Sequence, residues 1–123
     1  MIDFKNGSII KLKQAEASAA NDVLPLLVSG EEVVGVYKGM RDYVVFTTKR
    51  LIAVNVQGMT GKKKDFTTLP YSKIQAFSVE TAGTLDLDSE LELWFSGLGL
   101  VKLDFSGACD IVKIGQLISN AIL

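Results

Sequence analysis

From Glu31 onward the apolar residues recur at every second position, and clusters of Gly, Pro, Ser and Lys cut the chain into short runs rich in Val, Ile, Phe, Thr and Tyr. Seven such runs are legible: EVVGVYK, DYVVFTT, RLIAVNVQ, KDFTTLPY, QAFSVET, ELELWFS and LVKLDFS. Turn signals separate them at Gly39-Met40, Thr48-Lys49, Gly58 to Lys63, Pro70 to Lys73, Ala82 to Ser89 and Gly97 to Gly99. Spacers this short favour successive antiparallel hairpins, because a parallel crossover needs a dozen or more residues.

The two ends of the chain read differently. Ser8 to Val28 is rich in helix formers (Lys11, Leu12, Gln14, Ala15, Glu16, Ala17). Asn21-Asp22 can break that run and cap a second piece, and Pro25 is tolerable only in a first turn, so two helical pieces are expected, ended by Ser29-Gly30. At the other end, Ile111, Ile114, Ile118, Ala121 and Ile122 fall at helical spacing, with Lys113, Gln116 and Asn120 on other faces. Ser106 or Gly107 can start this closing helix, and Asp110 in its first turn suits the positive end of the helix dipole. Its apolar stripe needs cover, which a strongly bent antiparallel sheet offers. The expectation is one mainly β, α+β domain over 1–123, with a helical extension over 1–30, seven strands over 31–106 and a capping helix over 107–123.

The 123 residues, 48% hydrophobic and 22% charged, suit one core, and a net charge of -1 gives no overall pull toward nucleic acid or anionic lipid, so neither nucleic acid nor a membrane is the expected partner and only a local patch could bind one. Cys109 is the only cysteine, so no internal disulfide can form; a buried structural thiol in a reducing, cytoplasmic setting is the expectation. AEASAA (Ala15 to Ala20) resembles a signal-peptidase site, but Lys11 and Lys13 interrupt the apolar stretch of about 7–15 residues that should precede it, and no signal peptide is expected.

Several segments resemble the bacterial pleckstrin-homology-like domain family: YKGMRDYVVFTTKRLI (Tyr37 to Ile52), GMTGKKK (Gly58 to Lys64), LPYSKIQAFSVETAG (Leu69 to Gly83) and DLDSELELWFSG (Asp86 to Gly97). The resemblance implies a seven-stranded bent antiparallel sheet plugged by a C-terminal helix. It also implies no enzymatic activity, and assembly of single-domain members into dome-shaped rings of five-fold symmetry whose polar surface recruits an as yet unspecified protein.

The candidate sites are each weighed against a plainer account. Asp86, Asp88 and Glu90 match the first three ligand positions of an EF-hand loop, but Leu91 stands where the sharp-turn Gly belongs and Gly97 where the chelating Glu belongs. Alternation instead turns Leu91, Leu93 and Phe95 inward and Glu90, Glu92 and Trp94 outward, with Asp86 and Asp88 in a loop; a weak cation site is the alternative. An outward Trp94 asks for cover by another element or subunit. GMTGKKK fails as a Walker loop, since Val56 and Lys63 replace its first Gly and its Ser/Thr. It leaves Lys62, Lys63 and Lys64 as a solvated hairpin tip, with anionic lipid or another anion as the sharper reading. KGMRD is too short to form a phosphoinositide pocket. Arg41 with Asp42 reads as a turn-flanking ion pair and Lys49 with Arg50 as another charged turn; these residues and Trp94 form the candidate interaction surface. The sequence holds no histidine, so Ser-His and Cys-His nucleophiles are impossible, and no catalytic, metal or cofactor residue is assigned.

Overall fold

The computed structural model describes residues 1–5 and 11–123. Five strands form one sheet in the order β1 (Lys13–Gln14), β2 (Val33–Lys38), β3 (Tyr43–Thr47), β4 (Arg50–Gln57) and β5 (Lys63–Pro70). Three more, β6 (Ile74–Glu80), β7 (Ser89–Phe95) and β8 (Gly99–Phe105), form the second. All strand pairs are antiparallel. The seven runs read from the sequence are β2 to β8, and Leu91, Leu93 and Phe95 are buried while Trp94 points out.

A short 3-10 turn, Tyr71–Lys73, carries the chain from β5 into β6, and the Tyr71 hydroxyl donates to the Thr47 carbonyl at 2.7 Å beneath it. Between the sheets lies the main core, in which Tyr37 sits edge-on to Phe46 and Phe105 with centroids at 5.8 and 5.0 Å. Helix α1 (Ile111–Ile122) closes that core with Ile111, Ile114 and Ile118, as the periodicity requires. It starts later than Ser106 or Gly107: Asp110 is the cap, its carboxylate accepting from the Lys113 N–H at 3.1 Å. Gly115 lets the helix approach β6, since a Cβ there would meet Val79 at 3.1 Å.

The N-terminal region departs from the expected pair of helices. Leu12 is fully buried; its N–H donates to the Asp104 carbonyl at 2.8 Å, and its own carbonyl accepts from Ser106 at 2.9 Å. Since Lys13 and Gln14 pair with β2, residues 12–14 strap the two sheets together. Tertiary pairing there outweighs helix propensities worth only tenths of a kcal/mol per residue. The stretch Ser8 to Ile10, where the first helical piece was expected to begin, lies outside the described residues.

One helical piece does form, Ala17–Leu26, and it is a 3-10 helix. Pro25 inside it lacks the donor and the space for an α-helical turn. Residues three apart eclipse in this geometry, which puts Ala20 and Val23 on one buried stripe. That stripe packs on the outer face of the five-stranded sheet with Val36, Tyr43, Val45, Ile52 and Val54. The sheet is thus covered on both faces, and β3 is buried at every residue.

Candidate functional site

Between the 3-10 helix and β2, Glu31 forms a polar hub. Its carboxylate accepts from Arg50 Nε and Nη2, both at 2.9 Å, from the Thr47 hydroxyl, and from the Val28 N–H at 3.1 Å. Arg50 also donates to the Leu26 carbonyl at 2.7 Å and to Thr68 Oγ1 at 3.0 Å. The Glu31 side chain is 1% exposed and that of Arg50 16%. The Arg50 hydrogen bonds hold the Glu31 carboxyl at about 2, against the opposing effect of burial. Arg50 is therefore a structural residue tying the helical layer to the β3–β4 turn, and Lys49 beside it is exposed.

The other end of the five-stranded sheet carries the β2–β3 and β4–β5 turns. They are tied together by Arg41, which donates to the Gly58 carbonyl. Asp42 does not pair with Arg41, contrary to the expectation; it accepts from Asn55 Nδ2 at 3.1 Å and from the Val56 N–H at 3.0 Å. Nor do the three lysines form one patch, because Lys64 turns to Asp22 at 3.3 Å while Lys62 and Lys63 stay exposed.

On the outer face of the three-stranded sheet the β6 residues and Trp94 are exposed, while on the β8 side Asp104 is half-buried and Phe4 and Lys5 border a cavity with Leu100 and Lys102. Trp94, 48% exposed, stands between Ala76 of β6 and Leu100 of β8. Further along, Glu92 and Glu90 face Lys102 and Asp104, with a Lys102–Glu90 ion pair at 3.2 Å. No described element packs over Trp94, so this face contrasts with the outer face of the larger sheet.

The bacterial PH domain profile matches residues 3–122. The chain belongs to the bacterial PH domain family. The match is accompanied by 51% identity over 84 residues to the uncharacterized protein YjqA of Bacillus subtilis (strain 168), covering 68% of this chain and 67% of that one. Among solved structures, a DUF1696 family protein with a pleckstrin-homology domain from Shewanella loihica PV-4 superposes with a TM-score of 0.75. It shares 38% identity, with 92% of this chain and 98% of that one covered. A pleckstrin homology domain from Shewanella amazonensis SB2B gives a TM-score of 0.62 and 42% identity, with 86% of each chain covered.

Within this bacterial PH domain the remaining chemical candidates are placed in structural roles. In the loop before β7, Asp86 accepts from the Asp88 N–H at 3.0 Å and its carbonyl accepts from Gly83 at 2.7 Å, which makes the pair a turn. Among the described residues no group of three or more His, Cys, Asp or Glu is placed to hold a metal ion. Burial, reinforced by Glu90 opposite, pushes the Asp104 carboxyl up. Burial likewise pushes the Cys109 thiol up, away from a reactive thiolate, despite hydrogen bonds to Tyr37 and Ser89 that act the other way. No described helix is long and apolar enough to cross a membrane.

Sequence reasoning found Trp94 and both turns but missed the Glu31–Arg50 hub. A Glu followed nineteen residues later by an Arg in a turn sequence carries no periodic signal, and only the hairpin register brings them together.

Proposed function

We propose that this bacterial PH domain is a non-enzymatic interaction module that assembles into a cyclic homo-oligomer, five-fold by family resemblance, and offers a polar surface to a protein partner. The observation that carries the reading is the uncovered Trp94, the sole tryptophan of the chain, flanked by Ala76 and Leu100 on a sheet face over which no described element packs. A large aromatic beside apolar neighbours is the kind of anchor that protein interfaces bury. A ring requires two different surfaces of one chain to meet, and β5 and β6, each paired on one side only among the described strands, supply free edges for the second. Arg41 and Asp42 at one end of the five-stranded sheet and Lys49 at the other are the polar groups that repeat around the ring, so that weak single contacts gain from avidity. The absence of histidine and the raised Cys109 thiol favour binding over catalysis.

Light scattering coupled to gel filtration tests the assembly. At micromolar concentration the expected species has a mass several times 13.3 kDa, five times for a five-fold ring. A strictly 13.3 kDa species at that concentration overturns the proposal.

A further inference from the structure

We propose that the recess between β2 and the first turn of α1 binds a free α-amino acid with a compact aliphatic side chain, of the size of valine or leucine. The recess has a volume of about 160 Å³ and an apolar floor made by Tyr37, Phe46 and Ile114, all buried. Tyr37 stands edge-on to Phe46 with ring centroids at 5.8 Å, so the floor is held in shape by packing that no ligand has to supply. Gly35 forms part of the wall, where a Cβ would come within 3.3 Å of the Tyr37 ring, so a larger residue would crowd the recess. The strand is irregular at the same place, because the β2–β3 register slips between Val33 and Gly35, a device that strands use beside binding sites.

The rim supplies the polar half of the recognition. Gln14, Asp110 and Lys113 stand at the mouth, and all three are exposed. Asp110 and Lys113 lie three residues apart at the start of α1, which makes them neighbours, yet among the described residues neither is in an ion pair. Asp110 uses one oxygen, Oδ1, to cap the helix through the Lys113 N–H. A carboxylate and an ammonium side by side above an apolar floor match a ligand with complementary groups. Its ammonium meets Asp110, its carboxylate meets Lys113 and Gln14, and its hydrocarbon chain meets the floor. A simple anion would meet the repulsion of Asp110 and a simple cation that of Lys113, so each alone is disfavoured. A cavity of roughly 150 Å³ accommodates a benzene-sized group, which suits a branched aliphatic side chain and leaves no room for an indole. No residue of the recess belongs to the Trp94 face or to β5 or β6, so ligand binding does not depend on ring formation.

Titration calorimetry of the full chain with leucine tests the proposal, with amide chemical shifts to locate the site. Leucine should bind and move the Gly35, Tyr37 and Lys113 amides. Glycine lacks the hydrocarbon, isocaproate lacks the ammonium and isoamylamine lacks the carboxylate; each should bind about 10-fold more weakly than leucine or worse. Asp110→Asn keeps a residue that can cap the helix, and should weaken leucine binding about 10-fold without weakening isocaproate. Lys113→Gln should weaken leucine binding about as much without weakening isoamylamine. Circular dichroism checks that each variant is folded, and Lys73→Gln, which removes an exposed lysine elsewhere, should leave leucine binding unchanged. The proposal fails if leucine at millimolar concentration gives neither heat nor shifts, or if the shifts map away from the recess. It also fails if glycine, tryptophan or either singly charged analogue binds as tightly as leucine, or if Lys73→Gln loses as much as Lys113→Gln.

Discussion

At the scale of single residues, Glu31 and Arg50 share the fold's densest polar chemistry, each side chain making four hydrogen bonds. The Glu31 carboxylate is almost fully enclosed and satisfied by Arg50, Thr47 and Val28, so removing one partner strands a charge without water. Breaking such a pair costs several kcal/mol when fully buried. Arg50 keeps some solvent contact, and Glu31→Gln or Arg50→Ala should therefore destabilise the domain by about 2–4 kcal/mol, lowering the thermal midpoint by roughly 10 °C. The hub also makes stability depend on pH. The folded-state carboxyl is held at about 2 against an ordinary value of 4.5, so folding favours the ionised form. This contribution, about 3 kcal/mol, is fully present above pH 4.5 and disappears as the pH falls through 2. Thermal melts from neutral to acid pH should show wild type and Glu31→Gln converging toward pH 2, because the variant has no such carboxylate to protonate.

At the scale of elements, the 3-10 helix is a layer of the domain and not an appendage. Val23 is fully buried against the outer face of the five-stranded sheet, with Tyr43, Val45 and Ile52 beneath it. Val23→Ala should lower stability by about 2 kcal/mol, and denaturant unfolding should remain one transition with an unchanged slope and a lower midpoint. An unchanged midpoint would mean that the layer is energetically separate from the barrel. The same layer explains which parts of the fold the sequence disclosed. The strands and α1 announce themselves through apolar runs or alternation bounded by turns, and β7, with one face buried, alternates from Ser89 to Phe95 with Trp94 outward. The runs YVVF and LIAV are continuously apolar because two layers cover them, a pattern in which the second cover is easily overlooked. Residues 12–14 are illegible for the opposite reason. Lys13-Gln14 has ordinary helix-forming composition, and its strand state comes from partners on β2 and β8 that lie far along the chain. Of the surface features, the exposed tryptophan and the lysine turn follow from local alternation and turn chemistry, whereas the fate of Lys64 and Arg50 depends on the remote Asp22 and Glu31.

At the scale of the whole molecule, a net charge of -1 conceals a segregated surface. Lys13, Lys38, Lys62, Lys63 and Arg41 gather at one end of the larger sheet, while Glu80, Glu90, Glu92 and Asp104, with Lys102 paired to Glu90 among them, lie on the outer face of the smaller one. In the proposed ring the Trp94 face of one copy meets a free strand edge of the next, head to tail, the geometry that closes rings. Trp94 stands on the acidic face, and because it is the only tryptophan its fluorescence reports one place in the molecule. In the assembled state the indole should be desolvated; dilution from micromolar to nanomolar concentration should shift its emission to longer wavelength, along the curve on which the mass falls toward 13.3 kDa. Removing a central aromatic from an interface costs about 2 kcal/mol or more, so Trp94→Ala should weaken each contact by roughly 30-fold or more and move the mass transition to higher concentration. The two readouts must move together. An emission maximum that stays fixed while the mass changes would place the subunit contact elsewhere on the domain, and would leave the uncovered face of β6, β7 and β8 available to a different protein.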